Sequence, residues 1–200
     1  KYAAELHCNE VMLLPYYIAA MNIEHEYYEL TGQYAPFEGI CLVDTFDLLA
    51  GTKEVQMAMG WLVPENTERV KKQQQSDITV VIANPPYNVG QVNENDNNKN
   101  RAYPVIDRRV SETYATASRA TNKNALSDPY VKAFRWASDR IGDEGIVAFV
   151  TNGSFVDDLA FDGMRQQLAA DLDEIYVLDL GGNVRKNPKL SGTTHNVFGI

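Results

Sequence analysis

Ile78-Thr-Val-Val-Ile-Ala83, followed at once by Asn84-Pro85-Pro86-Tyr87, is the stretch on which the reading of this chain turns. A continuous β-branched run of this kind predicts a strand buried on both faces, as in a parallel sheet. The tetrapeptide then falls beyond the carboxyl end of that strand, where open parallel sheets bind their ligands. Each proline fixes its own φ, and Pro86 also holds Pro85 extended. The Pro85 carbonyl is therefore rigidly aimed, and the Asn84 side-chain oxygen gives a second acceptor beside it. Two acceptors converging on an –NH2 group bind both of its hydrogens, draw the nitrogen out of conjugation and free its lone pair for attack. Fixed dipoles stabilise the positive charge that develops, so no strong base, metal or nucleophilic side chain is needed. Tyr87 offers a flat face for stacking a planar base, worth ~1–3 kcal/mol. The plain alternative is a rigid Pro-Pro turn with a packing tyrosine.

Outward from this stretch the pattern alternates. Strands are predicted at Ala3–Glu10, Phe37–Val43, Gly145–Thr151 and Glu174–Leu180. Helices are predicted at Met12–Glu24, with Pro15 tolerated in the first turn, at Asp128–Ile141 and at Asp157–Leu172. The first should be buried. The second should turn Tyr130, Phe134 and Ala137 inward, and the third Leu159, Met164 and Leu168. Leu49–Gln75 is only partly helical in pattern. Strands separated by helices predict an α/β fold, a mostly parallel, doubly wound sheet with helices on both faces. Residues 1–200 read as one domain, interrupted after the tetrapeptide by a long insertion at 90–127, whose middle, Val105–Ser118, could be helical.

The 200 residues carry 18 basic and 27 acidic side chains, a net charge of −9. Taken whole, that excludes a generally polyanion-binding surface. The distribution reverses the inference locally: residues 1–65 carry net −8, but residues 96–140 carry nine basic and five acidic groups, net +4. Lys99, Arg101, Arg108, Arg109, Arg119 and Lys123 lie in this block, and Arg185 and Lys186 form a second basic spot. Both are candidate phosphate contacts. Two cysteines, Cys8 and Cys41, cannot build a disulfide scaffold, and no spacing suggests zinc. His7, His25 and His195 are scattered and read as structural. Ser154 lacks the frame of a hydrolase nucleophile. Asp157-Asp158 reads as a helix start. No apolar run approaches a membrane span, so a cytoplasmic protein without a membrane partner is expected.

Asn84-Pro85-Pro86-Tyr87 resembles the catalytic motif of S-adenosylmethionine-dependent amino-methyltransferases, above all the N6-adenine-specific DNA methyltransferases of prokaryotes. The resemblance implies a Rossmann-like methyltransferase sheet, S-adenosylmethionine as cofactor, no metal, and double-stranded DNA as partner with the target adenine flipped into the site. Asn84 and the Pro85 carbonyl would hold the adenine amine, and Tyr87 would stack on the ring. Glu10, with Asn22 twelve residues on, is similar to the family's second motif, whose acid binds the cofactor ribose hydroxyls. Asp44-Thr45-Phe46 is similar to the third, in which Asp44 would accept from the cofactor adenine amine and Phe46 would pack near its ring. Asp47 rivals Asp44. The plain alternatives are a solvated glutamate and a turn-forming aspartate.

Leu14-Pro-Tyr-Tyr-Ile-Ala, the Asn-rich run after Tyr87, Asp128-Pro-Tyr-Val and Gly181-Gly-Asn-Val-Arg-Lys extend the resemblance to the methyltransferase part of type ISP restriction–modification enzymes, which also carry helicase, nuclease and target-recognition domains. Two departures stand out. The family's glycine-rich first motif should precede Glu10 by one βα unit and does not, which suggests an excerpt lacking its first βα unit. The second base-stacking aromatic is also missing near Gly182-Asn183-Val184-Arg185. Related RNA-base and protein glutamine-amide methyltransferases share the tetrapeptide, and a non-catalytic DNA-binding module with the same fold is the rival from another class.

Overall fold

The computed structural model describes residues 1–50, 64–86, 102–181 and 189. They divide into two compact units. The first is residues 1–78 with 103–106, and the second is residues 79–102 with 107–200.

In the first unit, strand β1 (Cys8–Glu10), helix α1 (Leu13–Thr31) and strand β2 (Ile40–Leu42) form a βαβ unit. The two strands pair in parallel, with Cys8 opposite Ile40 and Glu10 opposite Leu42. Helix α1 runs a full seven residues beyond the predicted Glu24, because no helix breaker occurs before Gly32. That glycine takes the left-handed conformation (φ 70°) and returns its N–H to the Tyr28 carbonyl. Pro15 lies in the first turn, as the pattern required. Tyr2 stacks on Tyr27 at 4.0 Å and packs against Phe37.

Helix α2 (Pro64–Gln75) packs on β2 through Val70, which joins Cys41 and Val43 in a small core. Its buried Asn66 takes the place of a neighbouring strand. The side-chain oxygen accepts from Leu42 N–H at 2.8 Å, and the side-chain amide donates to the Leu42 carbonyl at 3.0 Å. One amide thus satisfies both backbone groups of the last β2 residue.

In the second unit, strand β3 (Val80–Ala83) pairs in parallel with β4 (Ile146–Phe149). Helix α3 (Pro104–Val110) continues without a break into a π-turn, Ser111–Ala115. Helix α4 (Pro129–Arg140) starts where the sequence predicts: Asp128 accepts from the Tyr130 N–H at 3.2 Å and Pro129 fills the first position. A short helix α5 (Ser154–Asp157) and a 3₁₀ turn (Leu159–Phe161) lead into helix α6 (Asp162–Asp171). The core gathers Val110, Tyr114, Leu126, Tyr130, Val131, Phe161, Met164 and Leu168. Gly163 lets α6 touch the π-turn backbone: a Cβ there would stand 2.1 Å from the Tyr114 carbonyl oxygen.

The described strands pair in parallel, as expected, in a two-stranded sheet within each unit. Several expectations are corrected. Strand β3 is not buried on both faces, since Ile82 is 79% exposed and Val80 also faces outward. Helix α1 is not buried: Leu14, Tyr17, Ile18 and Met21 are exposed along one side while the other side meets the sheet. The predicted helix 157–172 is broken at its start, so Leu159 points out and Phe161 takes the inward place. Glu174–Leu180 takes no regular secondary structure and pairs with no described strand, and Tyr176 and Leu178 are both 86% exposed. One cause covers most of these differences: apolar patterning marks a face that needs covering, and among the described residues no layer covers it.

Candidate functional site

Parallel pairing brings the two acidic positions of the first unit to the same end of neighbouring strands. Glu10 ends β1, and its carbonyl accepts from Val43 N–H at 2.8 Å, one residue before Asp44. One oxygen of the Glu10 side chain, Oε1, accepts from the N–H groups of Val11 (3.0 Å) and Met12 (3.3 Å). This steadies the carboxylate at the strand end and leaves Oε2 with acceptor capacity for a diol.

Asp44 Oδ1 accepts from the Phe46 N–H at 3.1 Å, which curls the chain into the 3₁₀ turn Thr45–Ala50. Asp44 Oδ2 accepts from the Tyr103 hydroxyl at 2.7 Å, and the Tyr103 ring stands edge-on to Phe46, with centroids 5.1 Å apart. Thr45 Oγ1 accepts from the Asn9 amide at 3.4 Å. Asp47 donates its N–H to the Asp44 carbonyl and so belongs to the same turn. Tyr103 was not legible in the sequence. It arrives 59 residues later, and nothing in its neighbourhood marks it.

The donor set suits an adenosyl group. A carboxylate with a spare oxygen ends one strand, and a second carboxylate with two aromatic rings ends the next. Below them burial pushes the Cys41 thiol up to about 11, so it is an inert core residue.

In the second unit, Asn84-Pro85-Pro86 follows β3 directly. The pairing with β4 runs to the edge of the motif, where Val150 N–H donates to the Ala83 carbonyl at 3.0 Å. Pro85 is buried, Asn84 and Pro86 are exposed, and both prolines follow trans peptide bonds. Tyr87 lies outside the described residues, as do Lys99, Arg101, Arg185 and Lys186.

The positive block is partly consumed inside the fold. Arg109 donates to both oxygens of Asp139, at 2.9 and 2.7 Å. Arg135, almost fully buried, bridges Asp139 and Asp171 at 2.7 and 2.6 Å, and Lys132 pairs with Asp107 at 2.6 Å. Burial pushes the Asp139 carboxyl up, but bonds from Arg109 and Arg135 outweigh this and hold it below the usual carboxylate range. Arg108, Arg119 and Lys123 are exposed; the Lys123 ammonium donates to the Ala115 carbonyl. Within the 90–127 stretch read as an insertion, Val110, Tyr114 and Leu126 are core residues.

Among the described residues no group of His, Cys, Asp and Glu could hold a metal ion, and no helix is long and apolar enough to cross a membrane.

No protein-family model matches the chain, and no curated protein matches it. Solved structures do. The chain is 49% identical to part of the protein in the cryoEM structure of a DrdV–DNA complex, over 92% of this chain and 18% of that one, with a TM-score of 0.83. It is 43% identical to part of a nuclease-deletion mutant of the Type ISP restriction–modification enzyme LlaGI in complex with a DNA substrate mimic, over 92% and 15%, with a TM-score of 0.84. It is 44% identical to part of the ATP-dependent Type ISP restriction–modification enzyme LlaBIII bound to DNA, over 84% and 11%, with a TM-score of 0.74. The chain thus spans between 11% and 18% of the solved chains it matches. At this identity and likeness of fold, the chain is homologous to a segment of Type ISP restriction–modification enzymes.

Proposed function

We propose that this chain belongs to the Rossmann-like methyltransferase core of a restriction–modification enzyme, which transfers a methyl group from S-adenosylmethionine to adenine N6 in DNA. The observation that carries the reading is the end of β3. A parallel strand, paired with β4 up to Ala83, runs straight into Asn84-Pro85-Pro86 with Pro85 buried. The homology to Type ISP enzymes in DNA complexes supports DNA over RNA or a protein amide as the acceptor.

In this reading Asn84 and the Pro85 carbonyl bind the two hydrogens of the target amine, and Tyr87 stacks on the base. Glu10 accepts from the ribose hydroxyls of the cofactor, and Asp44, Thr45 and Phe46 receive its adenine. S-Adenosylmethionine supplies an electrophilic methyl group. Exposed Arg108, Arg119 and Lys123, with Lys99, Arg101, Arg185 and Lys186, contact phosphates. Arg109 is withdrawn from that role because Asp139 occupies its guanidinium.

The test uses the full-length protein. Asn84→Ala and Tyr87→Ala should each lower methyl transfer to DNA by about a hundredfold or more, with the fold retained. Full activity in Asn84→Ala refutes the mechanism. If neither the parent protein nor any variant transfers methyl groups while DNA binding persists, the chain is a non-catalytic binding module.

A further inference from the structure

We infer that Tyr103 is a positioning residue of the nucleoside subsite, holding the Asp44 carboxylate in the orientation that reads an exocyclic amine. This rests on the reading of Asp44 and Phe46 as the place of the cofactor adenine. The Phe46 N–H bonds Asp44 Oδ1 at 3.1 Å, a local contact that comes with the turn. The Tyr103 hydroxyl bonds the other oxygen, Oδ2, at 2.7 Å and comes from 59 residues away. With one oxygen held from each side, the carboxylate plane is fixed.

A carboxylate accepts about four hydrogen bonds, so an incoming amine can join the partners that Asp44 already has. A fixed carboxylate also repels a carbonyl oxygen presented at the same point, because it cannot turn away. Tyr103 therefore favours a 6-amino purine over a 6-oxo purine. Its ring, at 74° to Phe46, adds a second aromatic wall beside the place the purine would fill.

Binding of S-adenosylhomocysteine and of its inosine counterpart to the full-length protein, measured by titration calorimetry, tests the inference. The parent protein should prefer the adenosine form. Tyr103→Phe keeps the ring and removes the hydroxyl, and should shrink that preference about tenfold, by weakening the adenosine form and relieving the repulsion of the inosine form. Tyr103→Leu, which removes the ring as well, should weaken both ligands and show the same reduced preference. A residue that merely supported the fold would weaken both ligands equally in Tyr103→Phe, and that result, or an unchanged preference, overturns the inference. Asp44→Asn separates the two failures. If it abolishes the preference while Tyr103→Phe does not, only the role of Tyr103 falls. If the parent protein binds neither ligand, or Asp44→Asn leaves the preference intact, the cofactor site itself is misread.

Discussion

Gly163→Ala should be among the most damaging single-methyl changes in the second unit. The added Cβ would stand 2.1 Å from the Tyr114 carbonyl oxygen, 2.4 Å from the Ser118 nitrogen and 2.8 Å from the Ser118 Cα. All three are backbone atoms, so no side chain can swing clear. Real Cβ contacts stay beyond 3.0 Å, so α6 must back away from the π-turn by at least about 0.9 Å. That movement pulls Asp162 from the Ser118 hydroxyl and the Arg119 N–H, which it binds at 2.5 and 2.9 Å. It also lifts Met164 and Leu168 off the core. Overpacking of this kind costs ~1–3 kcal/mol, and the weakened hydrogen bonds add about 1 kcal/mol. Against this stands the better helix propensity of alanine, about 1 kcal/mol in the opposite direction. The net is a loss of roughly 1–3 kcal/mol, or a fall in Tm of about 2–12 °C for a domain of this size. Thermal unfolding followed by circular dichroism measures it, and hydrogen exchange should show the 104–118 amides opening first. A Tm equal to or above that of the parent would mean that propensity wins and that the close crossing is not a constraint.

Asn66→Ala removes both hydrogen bonds to Leu42 and leaves two backbone groups without partners, so it should cost about 2–4 kcal/mol in urea unfolding. An unchanged midpoint would show that water or another group replaces the amide. Acid should also destabilise the second unit. The Asp139 carboxyl is depressed in the folded state, so its contribution is present above the unfolded carboxylate pKa of about 3.9 and is lost as pH falls through the lower folded value. Asp162, held low first by the Ser118 hydroxyl and then by the Arg119 N–H, acts in the same direction. Stability measured from pH 6 down to pH 2 should therefore fall less steeply in Asp139→Asn than in the parent. Parallel curves would refute the assignment.

Local chemistry was legible in the sequence wherever one short segment carried it whole. Asp128-Pro129 announced the start of α4, and the run into Asn84-Pro85-Pro86 announced a parallel strand ending at a rigid turn. The acidic ends of β1 and β2 were legible for the same reason. Tertiary partnerships were not. Asn66 looks like any polar residue in a first helical turn until Leu42 is found beside it, and Tyr103 means nothing without Asp44. Periodicity also reports which face is apolar, not what covers it. Hence β3 and α1 carried the signature of burial and yet expose Ile82 and Leu14 here. The basic block was legible as a charge count and not as a set of partners: Arg109, Lys132 and Arg135 pair with Asp139, Asp107 and Asp171, whereas Arg108, Arg119 and Lys123 are exposed.

The π-turn at Ser111–Ala115 bears on what insertions and deletions this chain can tolerate. Val110, Tyr114 and Ser118 are all buried at a spacing of four residues. In a regular α-helix each four-residue step swings about 40° around the axis, so the three would drift across about 80° of the surface. The wider turn, closing on the fifth residue, absorbs much of that drift and keeps all three facing α6. It behaves as a one-residue insertion already accommodated. Deleting one residue from 111–115 would give a more regular helix and a worse protein, because everything after it would rotate out of phase with Gly163. A residue gained or lost in the polar stretch after Ser118 changes no such phase. Length variation between homologues should therefore collect there and spare the turn, a pattern that aligned sequences would reveal.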